Sequence, residues 1–131
     1  MKKFLCFLLI VAVLVSVTGC IPIRHRQNAS GQVVYAVYGV ELRDELTEQE
    51  VAAVVEILNG KVPEISLLST PSCGFSSDIA IIIDGTPYAL AMDQCGVLQN
   101  CITLHYITIS DAERAVLEDI FARRGGEFPC I

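Results

Sequence analysis

Tryptophan is absent from this 131-residue chain and histidine occurs only twice, while nine Lys and Arg stand against fifteen Asp and Glu. Each shortage excludes something. His25 lies in an N-terminal polar stretch, which leaves His105 as the one histidine of the main body. No Ser–His–Asp set can be assembled without it, and no G-x-S-x-G turn is present to hold the nucleophile. No glycine-rich loop offers backbone amides to a phosphate, and no C-x-x-C pair offers a dithiol for redox exchange. The acidic balance repels a polyanion, so no nucleic acid partner is expected. Internal repeats and low-complexity runs are missing. The length excludes a TIM barrel, a full dinucleotide-binding fold or a kinase. A mean hydropathy of +0.54 excludes disorder as the main state.

What is present begins with an address. Lys2 and Lys3 precede a nearly unbroken apolar run, Phe4 to Val17. As a helix that run would reach about 21 Å, short of the roughly 30 Å hydrocarbon core. Val17-Thr18-Gly19-Cys20 follows at once. This arrangement resembles the lipobox signal peptide of bacterial lipoproteins, with Val17 standing where Leu is commoner. The resemblance implies cleavage after Gly19 and a thioether-linked diacylglycerol on Cys20, which becomes the mature N-terminus. Each buried methylene contributes about 0.8 kcal/mol, so two or three acyl chains hold a protein on a bilayer where one does not. The expected location is the extracytoplasmic face of the cell membrane. The resemblance further implies the outer membrane, if the host has one, since Ile21 rather than Asp follows the cysteine. Cys6 would be discarded with the leader.

Three regions result: a signal peptide (1–19), a lipidated tether (20–31) and a single globular domain (32–131). The tether has no sustained period. Arg24-His25-Arg26 reads as a solvated stretch that could rest on lipid headgroups. The domain carries five basic residues against fifteen acidic ones, a net charge of −10.

Within the domain, Gln32 to Arg43 is rich in β-branched and aromatic residues and predicts one strand. Thr47-Glu48-Gln49-Glu50 is a capping box, and Val51, Val54, Val55 and Leu58 share one helical face behind it. Val62 to Leu68 is a weaker strand, limited by Pro63. Asp84-Gly85 sits between two apolar runs, residues 78–92, and predicts a two-residue type I′ hairpin. Ile102 to Ile109 alternates as a further strand. Ser110-Asp111-Ala112-Glu113 opens a second helix that buries Ala112, Val116, Leu117, Ile120 and Phe121. The expected order is β-α-(β)-β-β-β-α. It describes an α+β domain, a small antiparallel sheet with two helices packed on one face.

Four cysteines remain in the domain: Cys73, Cys95, Cys101 and Cys130. An exported chain can keep disulfides, and four cysteines allow three connectivities. A two-residue turn at 84–85 pairs residues whose numbers sum to 169. Gly74 then faces Cys95 and Cys73 faces Gly96, so a small shift or bulge would bring Cys73 and Cys95 together. That selects Cys73–Cys95, and Cys101–Cys130 by remainder. The second link would close a loop of about 30 residues and contribute roughly 3–4 kcal/mol on the entropic account. Cys95, Cys101, His105 and Cys130 match no common zinc spacing, so no metal and no cofactor is expected.

Asp78 and Asp93 flank the hairpin strands and could form a carboxylate pair, acid/base or Ca²⁺-binding, although solvated strand ends explain them as well. Glu48, Glu50 and Glu113 are accounted for by helix capping, and Arg123-Arg124 by the C-terminal helix dipole. Tyr35, Tyr38, Tyr88 and Tyr106 all fall on predicted strands, where exposed ones would make binding surface. The set Cys73-Gly-Phe, Asp93-Gln-Cys95, Tyr106-Ile-x-Ile-Ser-x-x-Glu-Arg114 and the closing Gly-Gly-Glu-Phe-Pro-Cys resembles a small uncharacterised exported domain of Firmicutes type, over residues 40–131. That resemblance implies an extracytoplasmic setting and agrees with a Cys73–Cys95 link, and it carries over no functional residue. The expectation is a lipid-anchored, non-enzymatic binding module whose partner is an envelope or extracellular protein or ligand. An inhibitor or immunity-type surface protein is the first alternative, and a small hydrolase using Asp78 and Asp93 the second.

Overall fold

A computed structural model describes residues 21–65 and 74–127. The leader with Cys20, the end of the segment Val62 to Leu68, and Cys73 and Cys130 lie outside the described residues. Six strands and two helices run in the order β1 (Gly31–Val37), β2 (Val40–Glu45), α1 (Glu48–Leu58), β3 (Phe75–Ile83), β4 (Thr86–Ala91), β5 (Val97–Asn100), β6 (Tyr106–Thr108), α2 (Asp111–Ala122). The strands form one antiparallel sheet, β2-β1-β3-β4-β5-β6. The α+β class and the antiparallel sheet are as expected, but the order differs in detail.

Two expected strands are hairpins. The run from Gln32 breaks at Tyr38-Gly39, whose φ angles of +50° and +76° fold β2 back on β1. Positive φ at both positions is the type I′ geometry, which the apolar composition of this stretch concealed. The run Ile102 to Ile109 is a turn over Cys101–Leu104 followed by the short β6. Asn100 makes that turn: its Oδ1 accepts from the amides of Ile102 and Thr103, and its carbonyl accepts from Leu104. Strand β5, just before it, was not expected. Of the weaker strand, the described residues 62–65 contribute one bridge, Glu64 with Tyr106.

The Asp84-Gly85 hairpin is as predicted, with φ of +48° and +78° and the pairs Ile83 with Thr86 and Ile81 with Tyr88. Further out the register changes. A bulge between Phe75 and Ala80 places Phe75 opposite Ala91, and the amide of Met92 donates to the Gly74 carbonyl. Gly74 therefore meets Met92 rather than Cys95. The polar run Ser76-Ser77-Asp78 absorbs the extra residues, and Asp78 accepts from Ser77 in the bulge.

One apolar cluster joins both helices to one side of the sheet. Val33, Tyr35, Ile79, Ile81, Ile83, Tyr88, Leu90, Leu98 and Ile107 alternate into it and meet Val51, Val54, Leu58, Leu117, Ile120 and Phe121. The opposite face is small: Val34, Ala80, Ala89 and Ala91, all buried. Both capping boxes form, at Thr47 with Glu50 and at Ser110 with Glu113. In α2 the buried set is Arg114, Leu117, Ile120 and Phe121, while the expected Ala112 and Val116 face outward.

Candidate functional site

The polar side chains with the most chemical potential are engaged in holding elements together. Arg124 leaves the end of α2 and forks onto Glu50, with Nη1 to Oε1 at 2.9 Å and Nη2 to Oε2 at 2.8 Å. The same guanidinium reaches the Asp44 carboxylate on β2, which accepts from the Tyr35 hydroxyl at 2.8 Å. The Arg124 hydrogen bond holds the Glu50 carboxyl down at about pH 2 against the opposing effect of burial. The hydrogen bond to Asp44 raises the Tyr35 hydroxyl. Arg114 is buried and spans three elements. It donates to the carbonyls of Ala91 and Cys95 and to Glu118 one turn on. The expected role of Arg123 and Arg124 is to offset the helix dipole, and no local pattern gives Arg114 a partner. Only the fold reveals which carboxylates and carbonyls they meet.

Asp78 and Asp93 stand in different surroundings. Asp93 is buried and accepts from the Cys95 amide at 2.9 Å. The β3–β4 register sets it two residues beyond the partner of Phe75, whereas Asp78 stands exposed in the bulge. Among the described residues no group of three or more His, Cys, Asp or Glu is arranged to hold a metal ion.

Residues 21–30 do not float. The Ile23 amide donates to Lys61, the Gly60 amide to Ile23, and the Asn59 side chain brackets His25 through both its amide and its carbonyl. His25 Nε2 lies 2.8 Å from the Tyr88 hydroxyl, and its other ring nitrogen faces Asp84 at 3.8 Å. Burial pushes the Tyr88 phenol up to about 12. Ser30 and Asp84 exchange two further bonds. Ile23 and Ala29 pack on the core cluster. This stretch is a strap clipped to the domain, with His25 as its pin. Of Arg24-His25-Arg26, the expected solvated character holds for Arg24 and Arg26, both exposed, and not for His25.

Exposed apolar side chains fall at two ends of the molecule. At one end the β1–β2 turn presents Tyr38, 90% exposed, with Val40 and Leu42 beside it on the edge strand. At the other end the turn after β5 presents Ile102 and Leu104 with Ile65 beside it, while Ile21 and Val62 are exposed where the strap meets the exit of α1. A shallow groove of about 300 Å³ between the helices, lined by Ala53, Ile57, Ala112 and Val116 with Glu56 and Glu113, adds a weaker, mixed surface.

No family model, curated protein or solved structure matches this chain.

The cysteine pairs involve partners outside the described residues. Cys95 lies in the loop between β4 and β5 that Arg114 ties down. Cys101 opens the turn after β5, where its thiol donates to the Gln99 carbonyl at 3.7 Å, and burial raises its pKa. Among the described residues no disulfide is formed. No helix among them is long and apolar enough to cross a membrane.

Proposed function

We propose that this protein is a lipid-anchored extracytoplasmic binding module, non-enzymatic, held at the membrane through acylated Cys20 and stapled by Cys73–Cys95 and Cys101–Cys130. Its partner is an envelope or extracellular protein or ligand, met through the β1–β2 hairpin tip. The observation that carries the binding role is Tyr38. A large aromatic side chain, 90% exposed on an edge hairpin in a left-handed conformation, adds nothing to the core. Aromatic residues in such positions are the ones that anchor interfaces. The lipobox residues Val17 to Cys20 support the anchor, and the engagement of Glu50, Arg124, Arg114 and Asp93 in structural bonds supports a role without bond chemistry. The inhibitor reading has one observation of its own. All six residues of β2 are exposed and Glu41, Asp44 and Glu45 make that edge acidic, as a mimic of an anionic substrate would be.

The test is intact mass of the protein from its native membrane fraction, with and without reduction before alkylation. The expected species starts at diacylated or triacylated Cys20 and gains four alkyl groups only after reduction. An unlipidated start sinks the anchor, and alkylation without reduction sinks the staples. A photo-crosslinker replacing Tyr38 in the living cell is expected to trap a partner that one at buried Ile107 does not. Equal trapping at both positions overturns the hairpin tip as the contact.

A further inference from the structure

We propose that the end of the domain bearing Ile21, Val62, Ile65, Ile102 and Leu104 lies flat on the lipid bilayer, so that the lipid anchor fixes the orientation of the domain as well as its address. The inference rests on the reading of Cys20 as the lipidated residue.

Three separate segments meet at this end. The Ile23 and Gly60–Lys61 backbones are bonded to one another, which sets Ile21 beside the exit of α1. Glu64 and Tyr106 exchange two backbone bonds at 2.8 Å in an antiparallel bridge, which sets Ile65 beside His105 and the turn that carries Ile102 and Leu104, and Val62 further along β6 toward Thr108, next to the strap. The Cys101 amide donates to Pro87, so that turn lies next to the start of β4 and the 84–85 hairpin. The five aliphatic side chains are between 46% and 73% exposed. Aliphatic residues scattered singly on a surface need no explanation, whereas exposed ones supplied by three segments bonded to the same region do. Leu104 sharpens the point. Its φ of +60° is a conformation that branched side chains rarely adopt, and there it holds an aliphatic side chain out in solvent.

The occupant is decided by chain length. Ile23 is clipped to the domain, and Cys20 precedes it by three residues, which span at most about 10 Å. A lipid on Cys20 therefore brings this end, and no other, to the headgroups. A free tether of twelve residues would have left the orientation open, and the His25–Tyr88 and Ser30–Asp84 contacts remove that freedom. Charge agrees. Arg24 and Arg26 are exposed at this end, and among the described residues neither is ion-paired, whereas Arg43, Arg114, Arg123 and Arg124 all face carboxylates. Glu64, Asp84 and Glu113, the last paired with Lys61, lie on the segments that carry the patch or bond to them and limit the attraction, which makes aliphatic insertion the main contribution. The Tyr38 tip, at the far end of β1, is then held outward toward a partner.

The absence of tryptophan supplies a clean probe. The full-length lipidated protein is prepared as Ile102→Trp, Ile65→Trp and Tyr38→Trp, each verified by intact mass. Each is reconstituted into vesicles of phosphatidylcholine and phosphatidylglycerol carrying bromine on the acyl chains. The expected result is quenching at positions 102 and 65 at least ~threefold stronger than at 38, with blue-shifted emission at those two sites alone. Position 65 keeps the test valid if the turn does not tolerate Trp. Equal, weak quenching at all three sites in lipidated, vesicle-bound protein overturns the docking while leaving the anchor intact. A mass without lipid overturns the anchor, and the docking falls with it.

Discussion

At the scale of single residues, Glu50 shows how a surface-looking sequence feature becomes an interior one. It was legible as the third residue of a capping box, and it is that. It is also the buried acceptor for Arg124, seventy-four positions away, which no local pattern reports. Removing one partner of a buried pair leaves the other charge without compensation. Arg124→Ala is expected to lower stability by about 3 kcal/mol, and Arg124→Lys to recover only part of it, because an ammonium cannot fork onto both oxygens. The same pair fixes an acid response. The Glu50 carboxyl titrates at about 2 in the folded chain against 4.5 ordinarily, so its stabilisation is complete above about 4.5. It is lost as the pH falls from there toward 2. Urea titrations across that window should show the wild-type midpoint falling and the Arg124→Ala midpoint falling less. Parallel curves would mean that other carboxylates govern acid unfolding.

At the scale of elements, the joints between strands are where small changes reach furthest. A Cβ added at Gly96 would collide with the carbonyl oxygen of Ile109, which accepts no side-chain rearrangement because it is backbone, and the Ile109 amide is bonded to Gly96 in return. Gly96→Ala is therefore expected to cost more than about 2 kcal/mol by prising β5 from the entry to α2, measured as a shift in thermal midpoint. The strap is a second joint. His25→Ala removes the hydrogen bond to Tyr88 and is expected to loosen residues 23–30 by about 1 kcal/mol. Hydrogen exchange at the Ile23 and Gly60 amides should then quicken several-fold while core amides such as Ile81 hold. Uniform quickening would show that the strap opens only with global unfolding. These joints also mark what the sequence could and could not say. Asp84-Gly85 named its turn because Gly supplies the second positive φ and Asp tolerates the first, and Thr47 and Ser110 named their helices through paired side-chain bonds. Tyr38-Gly39 did the same backbone work with an aromatic in the first position, so apolar continuity hid a turn and merged two strands into one. The turn at 101–104 was hidden likewise, since Asn100 builds it with side-chain acceptors while Ile102 and Leu104 keep up a strand-like alternation. The strap was invisible for another reason. Its bonds are mostly backbone to backbone or to residues more than thirty positions away, and periodicity carries no trace of either.

At the scale of the whole molecule, the surface divides into an aliphatic end beside the strap and an aromatic tip at the far end of the first hairpin, joined by a strongly acidic body. A domain with five basic and fifteen acidic residues gains nothing from an anionic bilayer without an anchor, since the attraction of Arg24 and Arg26 is opposed by that net charge. On the proposed docking, a few partly exposed aliphatic residues would seat a domain already held at the surface. They do not recruit one from solution, where the loss of translational freedom opposes binding. The proposed acyl chains on Cys20 would reverse the balance at about 0.8 kcal/mol per methylene, and their hold would be indifferent to salt because it contains no charge. Cys20→Ala is thus expected to release the protein from the membrane fraction at low ionic strength with its unfolding midpoint unchanged. The wild type is expected to stay through a high-salt wash and to leave only with detergent. A Cys20→Ala protein that sediments with membranes as fully as the wild type would place the anchor elsewhere, in the apolar run before it. Release of the wild type by salt alone would mean that the charged strap, and not lipid, holds the chain to the surface.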